Sequence, residues 1–414
     1  MKAVVFTLGC KVNECESHSL ISGLSEMGYE VTDRLTKADL YIVNTCAVTK
    51  EAEKKSRQMA SRIAKLNPSA KIIWTGCATQ KDPQAFAKKS PNNLVTGVFN
   101  KGEILKMLDN QGVAVSPEQK AFEELLPVKS PRTRTFIKVQ DGCNNFCSYC
   151  IIPYLRGRNR ARSPQSILDE IALINPKEAV ITGINLSAYD FGGKGLAWLM
   201  DNLKDVDSRI RLGSLEVGVI SDEFLLALKN LKNFAPHFHL SLQSGSNAVL
   251  KAMNRHYTRE QFIEKVELIR KYFPDVGITT DIIVGYPTET EKDFADTIDL
   301  VERVKFSDIH PFIFSPRSGT VAYKLPDLPP QIKKQRLDKL VEYKKQLKLQ
   351  FTNGLIGREL YFLPEEYVDG FTEGYTENYL RVYVKGELTD KNLVKIRVEA
   401  PFKEGALAKV IKGE

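Results

Sequence analysis

Three closely spaced cysteines constrain this chain more than any other feature of its sequence. Cys143, Cys147 and Cys150 follow a C-x3-C-x2-C pattern, so their thiols can reach one metal centre. A structural zinc site needs one more protein ligand than this, but the rest of the segment 78–236 contains neither Cys nor His. Three soft sulfur ligands favour a [4Fe-4S] cluster with one iron left open to a small chelating molecule. A zinc knuckle or a set of buried thiols is the alternative.

Length and composition narrow the class of protein. The 414 residues exceed the ~250–300 at which a single hydrophobic core stops growing, so we expect two or three domains. Seven cysteines without a recognisable signal peptide favour a reducing compartment. No apolar stretch approaches the ~20 residues of a membrane span, so we expect a cytoplasmic protein. The net charge of +8 is compatible with an anionic partner.

Strand and helix patterns alternate twice along the chain, which predicts an α/β fold with parallel sheets. The first series has strands at 3–8, 40–44 and 71–75 and helices at 14–27 and 51–66. The second has strands at 135–140, 179–182, 209–215, 237–242, 277–284 and 309–314. Its helices lie at 164–174, 196–205, 222–231, 259–272 and 291–304. Six such β/α units indicate a partial (β/α)6 barrel, whose active site would lie at the carboxyl ends of the strands.

Three more cysteines lie just beyond predicted strands of the first series: Cys10, Cys46 and Cys77. The carboxyl ends of parallel strands share one edge of a sheet, so these thiols can converge there. Three buried small side chains are the alternative, since free Cys is often buried. Cys15 falls inside the first predicted helix, and we interpret it as structural, with a spare ligand as the alternative.

These patterns predict three domains: 1–110, 130–325 and 350–414. The segment 108–134 combines Gly, Pro, Ser and charged residues and is predicted to be a linker. A Lys-rich helix is predicted at 331–350. Short alternating segments such as 380–384 and 393–398 then predict a small antiparallel β-barrel.

The cysteine loop, with Tyr149 directly before its last Cys, resembles that of the radical S-adenosylmethionine superfamily. With the three strand-end thiols and the terminal β module, the whole chain resembles the methylthiotransferase family. The resemblance implies an N-terminal domain in which Cys10, Cys46 and Cys77 hold an auxiliary [4Fe-4S] cluster. It also implies a second [4Fe-4S] cluster on the barrel loop, whose open iron chelates S-adenosyl-L-methionine, and a C-terminal TRAM domain.

Polar and small residues at predicted strand ends are candidates for binding S-adenosylmethionine. The resemblance places a glycine-rich turn that contacts the methionine amino group at Gly183 and Asn185, and adenine contacts at Ile283 and Gly285. Arg255 suits a carboxylate because a charge-assisted bond would form. The other candidates are Ser214, Glu216, Ser241 and Gln243.

The opening segment 7–17 resembles the branch that converts N6-threonylcarbamoyladenosine beside the tRNA anticodon to its 2-methylthio form. Lys11-Val12 stands where the isopentenyladenosine branch typically has Gln-Met and the ribosomal protein S12 branch Pro-Lys. The resemblance implies that one electron cleaves the cofactor to a 5′-deoxyadenosyl radical, which abstracts hydrogen from purine C2. The auxiliary cluster would deliver sulfur and a second cofactor molecule the methyl group. No catalytic base is expected, because this C–H has no acidic proton.

Basic residues are dense around the cysteine loop, where the segment 131–162 contains seven of them against one acid, Asp141. Phosphate neutralisation is their natural use, so we predict RNA contacts for the six arginines of this segment: Arg132, Arg134, Arg156, Arg158, Arg160 and Arg162. A second basic group lies on the predicted helix 331–350, where a solvated helix face is the alternative.

The segment 351–414 contains nine Lys/Arg and eleven Asp/Glu, so the predicted terminal barrel is not basic. A protein substrate therefore stays open beside tRNA, and a non-enzymatic Fe–S or RNA-binding protein is a third hypothesis. Any of the enzymatic readings requires an electron donor and a sulfur source, which the sequence does not identify.

Overall fold

The computed structural model describes residues 1–90, 92–126 and 133–411. It has two regions built on parallel β-sheets, followed by a long helix and a closed β-barrel. The predicted α/β fold class is confirmed.

The first region is a six-stranded sheet in the order β2-β1-β3-β4-β5-β6, parallel throughout. Its strands are β1 Lys2–Thr7, β2 Glu30–Thr32, β3 Leu40–Thr45, β4 Lys71–Gly76, β5 Asn93–Thr96 and β6 Gly112–Ala114. Its helices are α1 Lys11–Glu26, α2 Lys50–Leu66, α3 Cys77–Lys81 and α4 Pro83–Ala87. Every residue of β3 is buried, as expected for a strand covered by helices on both faces. Strand β6 lies within the predicted linker, so the sheet continues past residue 110.

The second region consists of two four-stranded sheets, ordered β10-β9-β7-β8 and β11-β12-β13-β14. The strands are β7 Arg134–Asp141, β8 Arg160–Ala161, β9 Glu178–Gly183, β10 Arg209–Leu212, β11 Ser214–Leu215, β12 His237–Gln243, β13 Gly277–Val284 and β14 Asp308–Ile313. The helices are α5 Ile152–Arg156, α6 Pro164–Ile174, α7 Leu196–Asn202, α8 Asp222–Lys229, α9 Asn247–Ala252, α10 Arg259–Tyr272 and α11 Glu291–Val304. Helices α6, α10 and α11 have the predicted bounds.

The predicted continuous strand 209–215 is wrong, because the chain breaks at Gly213. The Gly213 N–H donates to the Ile181 carbonyl at 2.8 Å, and a side chain there would place its Cβ 3.1 Å from that oxygen. The chain therefore leaves the sheet β10-β9-β7-β8 at Gly213, and β11 begins the sheet β11-β12-β13-β14. The two sheets share one apolar core, and we refer to them together as the half-barrel.

Helix α12, Pro330–Gly354, leads into a closed five-stranded barrel ordered β15-β16-β17-β19-β18. Its strands are β15 Glu359–Val368, β16 Phe371–Thr376, β17 Arg381–Lys385, β18 Val394–Phe402 and β19 Gly405–Val410. Neighbouring strands are antiparallel except β17 and β19, which run parallel. Short 3₁₀ turns elsewhere in the chain cover Lys101–Lys106, Leu186–Ala188, Val217–Val219 and Val321–Lys324.

The C-terminal barrel docks on the half-barrel through a buried carboxylate. Glu178 lies 2.5 Å from Arg209 Nε and 2.8 Å from Arg211 Nε. Arg209 also donates to the Tyr361 carbonyl at 3.1 Å, and Arg211 to the Glu377 carbonyl at 3.0 Å. Glu178 therefore orients two guanidinium groups toward the backbone of the C-terminal barrel.

We expect this docking to depend on pH through Glu178. Burial alone would raise the pKa of Glu178, but Arg211 and Arg209 lower it to about 2. A depressed folded-state pKa stabilises the fold above the unfolded value of about 4.3 and loses this contribution as pH falls toward 2. Glu178→Gln should therefore lower the melting temperature strongly at pH 7, and the gap to wild type should narrow between pH 4.5 and 2. Thermal unfolding of both proteins across this range checks it; a gap independent of pH would contradict it.

Among residues 1–90, 92–126 and 133–411, no helix is both long and apolar enough to cross a membrane.

Candidate active site

The first three thiols follow adjacent strands at one edge of the first sheet. Strand β1 pairs with β3, and β3 with β4, with Thr45 opposite Gly76. Cys10 caps α1, Cys46 follows β3 directly, and Cys77 begins α3. Parallel strands end on the same side, so the topology brings these three cysteines together, as predicted from strand order.

Contacts within this group show how closely the loops approach. A Cβ built on Gly9 would lie 2.9 Å from Cys46 Sγ, and Gly9 has φ of +109°, a conformation that favours glycine. Burial raises the pKa of Cys46 to about 12, and the neighbouring Cys77 and Cys10 act in the same direction. The sulfur atoms are therefore close enough to influence one another electrostatically.

The second group lies on the loop after β7, at the carboxyl end of the half-barrel. Gly142 precedes it with φ of +73°, and a Cβ there would lie 1.9 Å from the Arg158 carbonyl oxygen. The Cys143 N–H donates to the Gly157 carbonyl at 3.1 Å, which ties the loop to its own continuation. Burial raises the pKa of Cys150 to about 12, with Cys147 and Cys143 contributing.

Two of the predicted cofactor residues contact this loop directly. Asn185 Nδ2 lies 3.7 Å from Cys143 Sγ, and Arg255 Nη1 lies 3.4 Å from Cys147 Sγ. Glu216, a third, accepts from Arg255 at 2.8 Å. The same Glu216 carboxylate accepts from Asn145 Nδ2 at 2.6 Å. Asn145 was not predicted from the sequence as a site residue. Its position between Cys143 and Cys147 was the signal that could have indicated it.

The remaining predicted cofactor residues occupy different surroundings. Gly183 and Ser214 line a cavity in the half-barrel. The Ser241 carbonyl accepts from the Arg255 guanidinium at 3.2 Å and from the Tyr257 hydroxyl at 2.7 Å. Gln243, at the end of β12, has φ of +70°.

Ile283 and Gly285, the two predicted adenine contacts, lie at the end of β13. Ile283 is half-buried against an apolar cluster of Val249, Met253, Tyr286, Phe314 and Ala322. The Gly285 N–H donates to Glu289 Oε2 at 2.7 Å, and a Cβ there would lie 2.5 Å from Lys333 Cγ. One side of Gly285 is therefore covered by the Lys333 side chain.

A cavity of about 790 Å³ runs through the half-barrel and reaches all three parts of the fold. Cys10 and Lys11 contribute from the first region, and Gly183 and Ser214 from the half-barrel. Tyr379 of the C-terminal barrel lines its other side. The cavity thus lies between Cys10 and the half-barrel strands. Gly183 on its wall ends β9, two residues before Asn185, which contacts Cys143.

Histidines line one wall of this cavity. Thr279 Oγ1 lies 2.9 Å from both His237 Nε2 and His239 Nδ1, and Tyr379 stacks on His237 at 4.4 Å between ring centroids. Burial, followed by the positive charge of Arg211, holds the pKa of His237 well below its usual range. His237 is therefore uncharged at neutral pH.

The prediction that Arg156 binds RNA is wrong, because its side chain is fully buried. Arg156 Nη1 lies 2.9 Å from Glu16 Oε1 and 3.1 Å from Asp141 Oδ1, while Nη2 donates to Asn13 Oδ1 at 2.7 Å. Its charge is paired with these two carboxylates inside the protein, between the first region and the half-barrel. Glu16 was not selected from the sequence, although it shares the buried face of α1 with Val12, where a carboxylate requires cationic partners.

Arg160 and Arg162 are also buried, so the same prediction is wrong for them. Arg160 Nη1 donates to the carbonyls of Arg156 and Arg158, both at 2.9 Å. Arg162 Nε lies 2.7 Å from Glu124 Oε2. These side chains shape the segment after the cysteine loop and are not available to phosphate.

The other predicted RNA-binding arginines differ from one another. Arg134 is half-buried, 2.5 Å from Glu365 Oε1, so its charge is already paired. Arg158 is exposed and lies over the Phe146 ring at 4.6 Å. Arg132 lies outside the described residues.

Cys15 stands apart from both thiol groups. Its thiol donates to the Phe136 carbonyl on β7 at 3.3 Å, and burial raises its pKa well above the usual range. This placement favours the structural interpretation over that of a spare ligand.

The donor chemistry of the two groups fits iron–sulfur clusters. Each offers three soft thiol ligands and no protein oxygen or imidazole in the same set. Within the described ranges, no group of three or more Cys, His, Asp or Glu is placed to hold a single metal ion. All seven cysteines are free thiols.

Comparison with known proteins places both thiol groups in described families. The model of the radical SAM superfamily matches residues 137–301, and that of the uncharacterized protein family UPF0004 matches residues 2–97. The threonylcarbamoyladenosine tRNA methylthiotransferase MtaB of Thermotoga maritima is 40% identical over 99% of this chain and 97% of its own length. The protein of the same name from Bacillus subtilis is 35% identical over 100% of this chain and 98% of its own length.

A relative named for a different product is also similar. The tRNA-2-methylthio-N(6)-dimethylallyladenosine synthase of Thermoanaerobacter sp. strain X514 is 38% identical over 87% of this chain and 81% of its own. Among solved structures, the radical S-adenosylmethionine methyltransferase TsrM of Kitasatospora setae has a TM-score of 0.53 and 14% identity, covering 90% of this chain and 80% of that one. This likeness supports the fold alone.

Proposed function

Because the chain belongs to the radical SAM tRNA methylthiotransferase family, we propose that it converts N6-threonylcarbamoyladenosine next to the tRNA anticodon to the 2-methylthio derivative. The observation that carries this proposal is the cavity that Cys10, one of the strand-end thiols, shares with the half-barrel strands. A reaction that joins sulfur to a carbon activated elsewhere needs both centres beside one substrate.

Each thiol group has a defined role in the proposal. Cys143, Cys147 and Cys150 would hold a [4Fe-4S] cluster with an open position for S-adenosylmethionine. The auxiliary [4Fe-4S] cluster would be held by the strand-end thiols, Cys10, Cys46 and Cys77. When bound, these groups supply the one-electron and sulfur-transfer chemistry that an unactivated C–H bond requires.

The protein side chains position the cofactor and do not act as acid or base. Arg255 and Asn185 lie against the loop sulfurs and offer N–H donors there. The ion pair between Arg255 and Glu216 fixes the guanidinium beside Cys147. Burial alone would lower the pKa of Arg255, but the coulombic effects of Tyr257, Tyr149 and Glu216 outweigh it and raise the pKa above its usual range, so Arg255 stays charged. Such fixed charges stabilise a bound group without reorganising during the reaction.

Isopentenyladenosine is the second candidate substrate, because a relative 38% identical over 87% of the chain is named for a dimethylallyladenosine product. That substituent is apolar, whereas the cavity wall contains His237, His239, Asp281 and Lys11. Apolar residues such as Phe136, Leu212 and Phe312 line the same cavity. Only a polar substituent can use the polar side chains, however, so the threonylcarbamoyl group suits this wall better.

Nucleoside mass spectrometry of tRNA from cells that lack this gene tests the proposed function. We expect 2-methylthio-N6-threonylcarbamoyladenosine to disappear and its precursor, N6-threonylcarbamoyladenosine, to accumulate. Return of the wild-type gene should restore the product. Unchanged 2-methylthio nucleosides would eliminate the tRNA reaction, and accumulation of the prenylated precursor instead would identify the second candidate.

A further inference from the structure

The cavity wall contains six cationic side chains, and five of them are committed to acidic partners: Arg134, Arg211, Lys344, Lys348 and Arg381. Lys344 and Lys348 share Asp308, at 3.3 and 3.6 Å. Lys11 is the exception: within the described part of the chain, it has no acidic group at ion-pair distance. It is therefore the cation of this wall that a ligand can engage without displacing a protein carboxylate.

The position of Lys11 is set by the fold. It is the first residue of α1, directly after Cys10, and both residues line the cavity. Its charge contributes to lowering the pKa of His237, after burial, Arg211 and His239. Lys11 and His237 therefore lie on the wall of the same cavity.

We propose that Lys11 is a specificity-determining residue that binds the carboxylate of the threonylcarbamoyl group of the target adenosine. This inference rests on the proposed function. On an adenine ring, C2 and C6 flank the same nitrogen, so a substituent on N6 lies beside the carbon that receives sulfur. A target carbon held near Cys10 therefore brings its N6 substituent within the region that Lys11 serves.

The charge balance of the cavity supports an anionic ligand group. Of the carboxylates that line the cavity, Asp308 is paired with Lys344 and Lys348, Glu404 with Arg381, and Asp281 lies 3.2 Å from His239 Nε2. Glu14 lies one helical turn from Lys11 on α1, and none of these carboxylates forms an ion pair with Lys11 in the described part of the chain. A carboxylate is the ionised group of the proposed substrate that lies closest to the reacting ring. An ammonium–carboxylate bond inside a partly enclosed cavity is stronger than the same contact in bulk water.

Binding of two synthetic anticodon stem–loops tests the inference on the reconstituted full-length protein at fixed salt. One carries N6-threonylcarbamoyladenosine, and the other carries the same nucleoside with its carboxylate converted to the methyl ester. We expect wild type to bind the acid about tenfold more tightly, as one charged hydrogen bond would give. Lys11→Gln should bind both RNAs alike, while Lys11→Arg should keep most of the preference.

Lys88→Gln is the matched control, because Lys88 is an exposed lysine of the first region that does not line the cavity. It should retain the wild-type preference. The inference is overturned if the Lys11→Gln protein still binds the acid more tightly than the ester. It is also overturned if the wild-type protein methylthiolates threonylcarbamoyladenosine but binds the acid and the ester equally well. The proposed function fails separately from this inference. It would be overturned if the wild-type protein favours the acid but deletion of the gene leaves the 2-methylthio nucleosides of tRNA unchanged.

Discussion

Replacing Cys46 or Cys77 by Ala should abolish methylthiolation while leaving cleavage of S-adenosylmethionine intact. Both thiols belong to the strand-end group, and a three-thiolate site that loses one buried ligand should not retain its cluster. Iron in anaerobic preparations should fall from about eight to about four atoms per chain, one cluster's worth. Iron analysis, cofactor cleavage and nucleoside mass spectrometry measure the three quantities separately.

Cys147→Ala is the matched variant from the other group. It should also lose about four irons, but with loss of both cofactor cleavage and methylthiolation. Cys15→Ala should lose no iron, because its thiol donates to a backbone carbonyl away from both groups. A Cys77→Ala protein that still methylthiolates tRNA would contradict the two-cluster proposal.

Glu16→Gln should lower the free energy of unfolding by about 3–5 kcal/mol, the usual cost of removing one partner from a buried ion network. Glu16 is 1% exposed. It pairs with Lys101, with Lys138 at 3.1 Å and with Arg156 at 2.9 Å. The substitution keeps the size of the side chain but leaves three cations with a single remaining acid, Asp141. Urea unfolding of the anaerobic protein measures the effect.

Two further variants show whether charge burial is the cause. Glu30→Gln removes an exposed pair with Lys2, 3.4 Å apart, and should change stability by less than about 0.5 kcal/mol. Adding Lys101→Met to Glu16→Gln should recover part of the loss, because it removes a buried charge that has lost its partner. Equal stability of Glu16→Gln and Glu30→Gln would contradict the prediction.

Local patterns determined most of the second region. Helices α10 and α11 and strand β13 have the bounds predicted from periodicity, because each has an apolar face of regular spacing and a Thr cap or Gly at its start. The break at Gly213 was not predictable, since it results from contact with a carbonyl on a different strand. Strand β6 was missed because three exposed residues carry no burial pattern.

The sequence by itself determined the two thiol groups, since Cys spacing and strand order are properties of the chain, and parallel strands must end at one edge. It could not assign the arginines around the loop, because a charged residue looks the same whether it faces a phosphate or a buried carboxylate. Only the tertiary structure decided that Arg156 is paired with Glu16 and Asp141, while Lys11 lines the cavity with no ion pair among the described residues. Partnership between charges depends on residues far apart in the chain, and folding alone brings them within a few ångströms.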